Sequence, residues 1–318
     1  MAARKRRYIL VIFHAGRDII SRPMVLDIKR RLDREIPTQR EQTQIDVWLD
    51  SPGGDAHAAY KLALDLRARA KVLRVAIPDL AKSAATLLSL GMDEIYLAPG
   101  ADLGPLDVQL SHPHRESEVI SGLDVVGSLS YMSDFAVQLA VTGGLELLRY
   151  TGLSRKEVLG PMLEFVANFL RPCIEQIDPH LTRRAYYQLT VGERYAVDLL
   201  MRRSVGKAHQ LREDQARAIA HRLVNHYPVH EFVIERTSAQ KELDLPIMEL
   251  EAYDKRHDLE SLHASWCAEP KQSILRLQEI GAKKSGAPKS KRIKAKTAKT
   301  ARKEESRGTG AAKVKGAA

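Results

Sequence analysis

The sequence is poor in the residues that hold small secreted proteins together or anchor a chain in a membrane. Its 318 residues include two cysteines, which excludes a fold that depends on a framework of disulfides. No apolar run approaches the roughly 18 to 20 residues that a bilayer-spanning helix needs. We therefore predict a chain without a membrane span, in a reducing, cytoplasmic compartment.

Basic residues outnumber acidic ones, but the excess belongs to one end of the chain. The whole sequence has a formal net charge of +10, and residues 282–318 alone contain 13 Lys and Arg against two Glu. The remaining residues have a net charge of −1. Because residues 282–318 cannot bury a core, we expect a disordered Lys-rich tail. Such a tail can bind nucleic acid or an anionic surface, and a solubilising linker is an equally good interpretation.

The first hundred residues alternate between short apolar runs and helical patterns. Buried strands are predicted for the runs at residues 8–13, 45–49, 72–77 and 94–98. The first of these runs is interpreted as a strand and not as an export signal, because no small-residue cleavage site follows it. The alternation predicts an α/β fold with βαβ crossovers and a mostly parallel sheet.

The later part of the chain has a different pattern. Residues 121–223 show the three-to-four spacing of helices, and residues 228–234 predict one more strand. We expect a main domain over residues 1–250, a peripheral helical segment over 251–281 and the disordered tail over 282–318.

Glycine and serine follow neighbouring strands, at the sheet edge where ligands gather in open parallel sheets. Gly53 and Gly54 lie directly after the second strand, and paired glycines can aim free N–H groups at an oxyanion. Ser83 follows the third strand, at the start of a short helix with small neighbours such as Ala84. Taken singly, the first loop is better interpreted as an ordinary turn and Ser83 as a helix-capping serine.

The spacing of the two loops favours a catalytic site over two ordinary turns. Gly53 and Ser83 are 30 residues apart, the length of one βαβ unit, which places both loops side by side on one sheet edge. A third loop, LGPLD at residues 103–107, follows the fourth strand. A hydroxyl nucleophile beside free backbone donors is the minimum for acyl transfer.

These motifs resemble the serine dehydrogenase proteinase family. That family is related to the Clp protease proteolytic subunit and to signal peptide peptidase A, within the Clp/crotonase fold. The resemblance covers roughly residues 8–250, and the segments that carry it are LDSPGG at 49–54, AKSAATL at 81–87, GMDEI at 91–95, LGPLD at 103–107 and HYPVHEFVI at 226–234. It implies a Clp/crotonase-like α/β fold with repeated ββα and βαβ units, followed by helices.

The resemblance also implies roles for single residues. Ser83 is the implied nucleophile, and the backbone amides of Gly53, Gly54 and Ala84 are the implied oxyanion donors. The family resemblance requires no cofactor, and no metal site is predicted.

The general base is less well defined by the resemblance. Family members are described as using Ser, Asp and His in that chain order, which makes His230 the candidate base and Asp107 the carboxylate that orients it. His112, His114 or a lysine are alternatives for the base. Lysine bases of signal peptide peptidases lie downstream of the serine, whereas here no Lys occurs between Lys82 and Lys156.

The function predicted from the sequence is therefore a serine peptidase-like hydrolase that cleaves peptide bonds through an acyl-enzyme at Ser83. Its expected partners are a protein or peptide substrate and further copies of itself in a homo-oligomer. Two alternatives remain at this point, a catalytically inactive Clp-like scaffold that binds peptides and a crotonase-type enzyme that binds a thioester.

Overall fold

The apolar runs of the first hundred residues form parallel strands, as the sequence predicts. The computed structural model describes residues 6–13, 20–36, 40–111, 119–204, 210–267 and 274–280. The alternative bases His112 and His114 and the Lys-rich tail lie outside these ranges. The four predicted strands are β1 (Arg6–Phe13), β2 (Thr43–Asp50), β3 (Val72–Ile77) and β5 (Glu94–Leu97).

Two further strands complete the main sheet. Its order is β10-β5-β3-β2-β1-β11, where β10 is Ile247–Glu249 and β11 is Ile274–Ile280. All neighbours are parallel except β11, which runs antiparallel to β1. The predicted α/β fold with a mostly parallel sheet is confirmed.

Helices connect the parallel strands and then dominate the chain. Two crossover helices follow β1 and β2, namely α1 (Arg22–Glu35) and α2 (Ala56–Arg69), and the short α3 (Ala84–Leu90) follows β3. The predicted helical region contains α4 (Gly122–Thr151), α5 (Arg155–Ile174), α6 (Pro179–Met201) and α7 (Glu213–Asn225). Within the described residues, none of the helices is both long and apolar enough to cross a lipid bilayer.

The two faces of the sheet bury different layers, because side chains alternate along a strand. On β2, Val47 and Leu49 face the large core formed with the crossover helices. Trp48 faces the opposite side, where it joins a smaller cluster with Tyr253 and Leu259. We call the first the helix face and the second the back face.

Segment 251–281 contributes to the sheet as well as to its covering layer. It contains both α9 (Arg256–Cys267) and β11. The backbone of β11 pairs with β1 over its whole length, from Phe13 opposite Ile274 to Arg7 opposite Ile280. An edge strand of this kind depends on its partner strand, which lies far away in the sequence.

Short strands beyond the main sheet carry the loops of interest. The second sheet has the order β4-β6-β9, formed by Leu80–Ala81, Asp102–Leu103 and Ile234–Glu235. A two-stranded hairpin is formed by β7 (Gln109–Ser111) and β8 (Val119–Ser121), and α8 (Arg236–Glu242) follows β9.

The strand predicted over residues 228–234 was wrong for most of its length. Only Ile234 lies in β9, and residues 228–231 form a turn. Val229 and Val233 are exposed to solvent, so the apolar run does not reflect burial on both sides of a strand. Pro228 also lacks the N–H group that a strand needs for pairing.

Asp93 stabilises the edge of the sheet where the parallel strands begin, opposite to the edge with the diglycine and serine loops. Its carboxylate accepts two hydrogen bonds from Arg67, at 2.6 and 3.0 Å, and others from the amides of Leu73 and Ser204. Its carbonyl oxygen accepts a hydrogen bond from Arg203 at 3.0 Å. Asp93, Arg67 and Arg203 are all buried, so each charge depends on the others for solvation.

Replacing Asp93 is expected to destabilise the fold strongly. Asp93→Ala leaves the buried Arg67 without its counter-charge, a change that typically costs about 3 to 5 kcal/mol. Urea unfolding measures the loss. The matched control is Glu213→Ala, which removes an ion pair with Arg217 on the exposed face of α7 and is expected to change little. Equal stability of the two variants would contradict the structural role given to Asp93.

Candidate active site

The turn after β2 brings Gly53 against the serine loop and Gly54 against the backbone of Ile20. Gly53 has a φ of +112° and Gly54 a φ of +138°, conformations that residues with a Cβ rarely adopt. A Cβ at Gly53 would lie 2.7 Å from the carbonyl oxygen of Lys82 and 2.9 Å from Cβ of Ser83. Glycine at this position therefore allows the two loops to touch.

The backbone amides of the predicted donors differ in their partners. The amide of Gly53 donates to Oγ of Ser51 at 3.2 Å. The amides of Gly54 and Ala84 have no acceptor among the described residues. The amides of Gly54 and Ala84 are thus free to bind a ligand. Gly53 instead allows the two loops to approach closely, because it has no Cβ.

Ser83 lies at the point where β4 turns into α3. Its φ of +48° and ψ of −115° are unusual for a residue with a side chain. Among the described residues, Asp244 is the one other non-glycine with a positive φ. The side chain of Ser83 makes no capping hydrogen bond to α3, so the alternative interpretation as an ordinary helix cap lacks its defining contact. Such strain is typical of functional sites.

The third loop packs directly beside the serine loop. Oγ1 of Thr86 accepts a hydrogen bond from the amide of Gly104 at 3.1 Å. The same hydroxyl lies 2.6 Å from the carbonyl oxygen of Ala81, to which it donates. The three loops that the sequence places at one sheet edge do meet there.

A cavity of about 570 Å³ opens beside Ser83. Five of the six residues predicted for the site line it, and Gly53 lies behind them. The lining residues are Gly54, Ser83, Ala84, Asp107 and His230, together with Pro52, Asp55, Ala56, His57, Leu87, Leu106, Val108, Gln109, Val119, Tyr187, Gln188, Val191 and Gly192. No group of three or more His, Cys, Asp or Glu side chains suited to a metal ion occurs among the described residues.

Asp107 and His230 each present an unsatisfied polar atom in the cavity wall. Oδ1 of Asp107 accepts a hydrogen bond from the amide of Leu123 at 3.1 Å. Oδ2 of Asp107 and Nδ1 of His230 are buried, and neither has a hydrogen-bond partner within the described ranges. Burial raises the pKa of Asp107, whereas the hydrogen bonds from Ser121 and Leu123 and the charge of His230 lower it.

The site brings a serine, a carboxylate and an imidazole into the lining of one cavity at the edge of a parallel sheet. Residues 16–123 match the family of ClpP-like SDH-type serine proteinases. The match contains the diglycine turn, Ser83 and Asp107, and the recognition of this family from its motifs is confirmed. His230 lies outside the matched residues.

Two curated proteins of Methanocaldococcus jannaschii, both uncharacterized, are also similar to this chain. The first is 38% identical and the second 36% identical, each over 77 residues. These residues are 24% of this chain, and they cover 27% and 26% of the two relatives. The similarity therefore spans about a quarter of each relative.

Lys82 precedes Ser83, but its side chain is engaged with other residues. Its Nζ forms an ion pair with the carboxylate of Asp102. The same atom donates to the carbonyl oxygens of Leu103, at 3.4 Å, and Phe232, at 3.1 Å. Lys82 is not among the residues that line the cavity.

Two residues that line the cavity, His57 and Gln188, were not predicted from the sequence. His57 lies in the first turn of α2, and its Nδ1 is 2.9 Å from the hydroxyl of Tyr195. Its position just after the diglycine turn was a usable signal. Gln188 on α6 also lines the cavity, and its buried Oε1 has no hydrogen-bond partner in the part of the chain that the structure describes. No local pattern marks it, because α6 reaches the site only through helix packing.

Asp50 belongs to the same LDSPGG motif but lies on the back face. Its Oδ2 is 3.5 Å from Nε2 of His263. Burial raises the pKa of Asp50 to about 7, the charge of Asp79 adds to this effect, and a hydrogen bond from the amide of Leu80 opposes it. Burial also lowers the pKa of His263, so the imidazole offers little positive charge at neutral pH.

The pKa of Asp50 predicts a stability that declines toward neutral pH. The folded protein holds this proton up to about pH 7, whereas the usual value is 3.8. The free energy of unfolding therefore falls as pH rises between these values, by up to ~1.4 kcal/mol per unit. Asp50→Asn removes this dependence. The melting temperature of the variant, relative to wild type, is expected to rise from pH 5 to pH 8.

The exposed Asp27, which pairs with Arg31 on α1, supplies the control. Asp27→Asn is expected to follow the pH dependence of the wild type. A parallel pH profile for Asp50→Asn would show that the carboxyl of Asp50 is ionised in the folded state.

Proposed function

We propose that this chain is a serine peptidase-like hydrolase that forms an acyl-enzyme at Ser83. The observation that carries the proposal is the meeting, in one cavity, of a strained serine, two open backbone amides, a carboxylate and an imidazole. The carboxylate and the imidazole each have one buried atom without a hydrogen-bond partner among the described residues. The family match over residues 16–123 supports peptidase-like chemistry. The substrate is accordingly a protein or peptide.

The first step is the attack of Oγ of Ser83 on the carbonyl carbon of the substrate. His230 takes the hydroxyl proton on Nε2, and the new bond converts the carbonyl oxygen into an oxyanion. The open amides of Gly54 and Ala84 donate to this oxyanion. Because these amides have no other acceptor within the described residues, they need no rearrangement to do so.

Asp107 orients the imidazole. During the reaction Nδ1–H of His230 donates to Oδ2 of Asp107, which satisfies two atoms that are buried without a partner among the described residues, and this leaves Nε2 free to act as the base. It also stabilises the imidazolium that forms after proton transfer. A positive imidazolium beside the carboxylate favours the ionised form of Asp107.

The second half of the reaction reverses these proton transfers. His230 gives its proton to the leaving amine, the C–N bond breaks, and the acyl group remains on Ser83. His230 then takes a proton from water, whose oxygen attacks the ester. Collapse of this intermediate returns the proton to Ser83 and releases the acid.

The expected homo-oligomer stays a prediction. It is supported by the α4–α5 pair, since Gly122 is the one buried residue of α4. Large apolar side chains such as Val137, Leu145 and Phe165 are exposed on these helices, as is typical of surfaces that contact another chain.

The nucleophile is tested with a fluorophosphonate probe that reacts with activated serines. We expect the probe to label wild-type protein at Ser83 and to leave Ser83→Ala unlabelled, because that variant lacks the attacking oxygen. Peptide mapping by mass spectrometry locates the adduct. The matched control is Ser128→Ala, which removes an exposed hydroxyl on α4 and is expected to label like wild type.

A folded wild type that binds peptide but does not react with the probe would contradict this proposal. It would favour the inactive peptide-binding scaffold. If the probe still labelled Ser83→Ala, the nucleophile would have to be another residue.

The base is tested by comparing the two histidines of the cavity. His230→Asn is expected to slow labelling by about 10²- to 10⁴-fold, the usual contribution of a general base. His57→Asn is expected to have a smaller effect, because Nδ1 of His57 is held by Tyr195. The rates are measured at several pH values after circular dichroism has shown that both variants fold. The opposite ranking of the variants would assign the base to His57.

A further inference from the structure

The turn that carries His230 is held by contacts outside regular secondary structure. We call residues 227–233 the histidine turn. Tyr227 is buried, its ring centroid lies 4.8 Å from that of Phe232, and its hydroxyl donates to Glu242 at 3.2 Å. Because the histidine turn lacks strand pairing of its own before Ile234, the direction of His230 depends on such side-chain contacts.

Lys82 extends from the serine loop to this turn. Its Nζ donates to the carbonyl oxygen of Phe232 at 3.1 Å, two residues beyond His230. The same ammonium group is paired with Asp102 on β6, and both side chains are largely buried, at 16% and 13% exposure. A buried charge held at three points has little freedom to move.

The backbone of Lys82 touches the remaining loop of the site. Its amide donates to the carbonyl oxygen of Ser51 at 3.1 Å. Its own carbonyl oxygen is the atom that a Cβ at Gly53 would meet at 2.7 Å. Lys82 therefore contacts the diglycine turn through its backbone and the histidine turn through its side chain, and it is bonded directly to Ser83.

The path of the side chain depends on a glycine in the third loop. A Cβ at Gly104 would lie 2.6 Å from Cδ of Lys82. The lysine stem thus crosses the LGPLD loop at Gly104, where no Cβ stands in its way. This route leads to Asp102 and Phe232.

We propose that Lys82 is a positioning residue that sets the distance between Ser83 and His230. The proposal rests on the proposed function, in which His230 is the base. Lys82 does not serve as the base itself, because its ammonium protons are directed at Asp102, Leu103 and Phe232. Its contribution to the reaction passes through the histidine turn.

The kinetic test compares Lys82→Met with Lys82→Arg, using the fluorophosphonate probe. Lys82→Met keeps the length of the side chain but loses the charge and the donors. It is expected to lower the maximal rate of labelling roughly 10- to 100-fold, as for a displaced catalytic group, with an unchanged half-saturating probe concentration. Lys82→Arg retains charge and donors, and is expected to recover most of the rate.

The matched control is Lys71→Met, which removes an exposed lysine paired with Glu41 and is expected to label at the wild-type rate. Failure of Lys82→Arg to recover any rate above Lys82→Met would overturn the proposal and indicate that Lys82 itself exchanges a proton, which a guanidinium cannot do. A Lys82→Met variant that labels at the wild-type rate would also overturn it.

Hydrogen exchange measured by mass spectrometry tests the proposal independently of any activity. Lys82→Met is expected to increase exchange in the histidine turn, while the peptides of β1 to β3 keep their protection. Unchanged exchange in the turn would overturn the role of Lys82. Absence of probe labelling in the wild type would instead overturn the proposed function, so the two failures are distinguishable.

Should Lys82→Met not fold, Asp102→Asn, which weakens the same link, is expected to increase exchange in the same segment.

Discussion

Contact between the diglycine turn and the serine loop is the constraint on which the rest of the site depends. With no Cβ at Gly53, the carbonyl oxygen of Lys82 and the side chain of Ser83 can approach to distances that any other residue would block. This approach brings the open amides of Gly54 and Ala84 to one cavity. It also keeps Ser83 in a strained backbone conformation, which the packing of three loops can maintain.

The site also contains two buried polar atoms, on Asp107 and His230, whose burial costs free energy and therefore indicates a role. A buried polar atom without a partner costs about 1 to 3 kcal/mol. Within the described ranges, Asp107 and His230 each contribute one such atom, and both residues line the same cavity. In the proposed mechanism the two costs are relieved together, since the imidazole donates to the carboxylate. Lys82 joins this arrangement to the nucleophile, because it contacts both the serine loop and the histidine turn.

The sheet keeps the residues of the cavity apart from the buried charges that stabilise the fold. One motif, LDSPGG, contributes its glycines to the cavity, while the side chain of Asp50 lies near His263 on the back face. Asp93 binds Arg67 and the amide of Leu73 where β3 begins, at the edge of the sheet away from the cavity. Parallel strands make this division possible, because all their carboxyl ends meet at one edge.

The sequence by itself determined four parallel strands of the main sheet, the helical region and the meeting of Gly53 with Ser83. Apolar runs report burial along a single strand, and the length of a βαβ crossover places consecutive loops side by side. Only the tertiary structure decided the turn around His230, the pairing of β11 with β1 and the entry of His57 and Gln188 into the cavity. These features depend on contacts between elements far apart in the chain, which local periodicity does not encode.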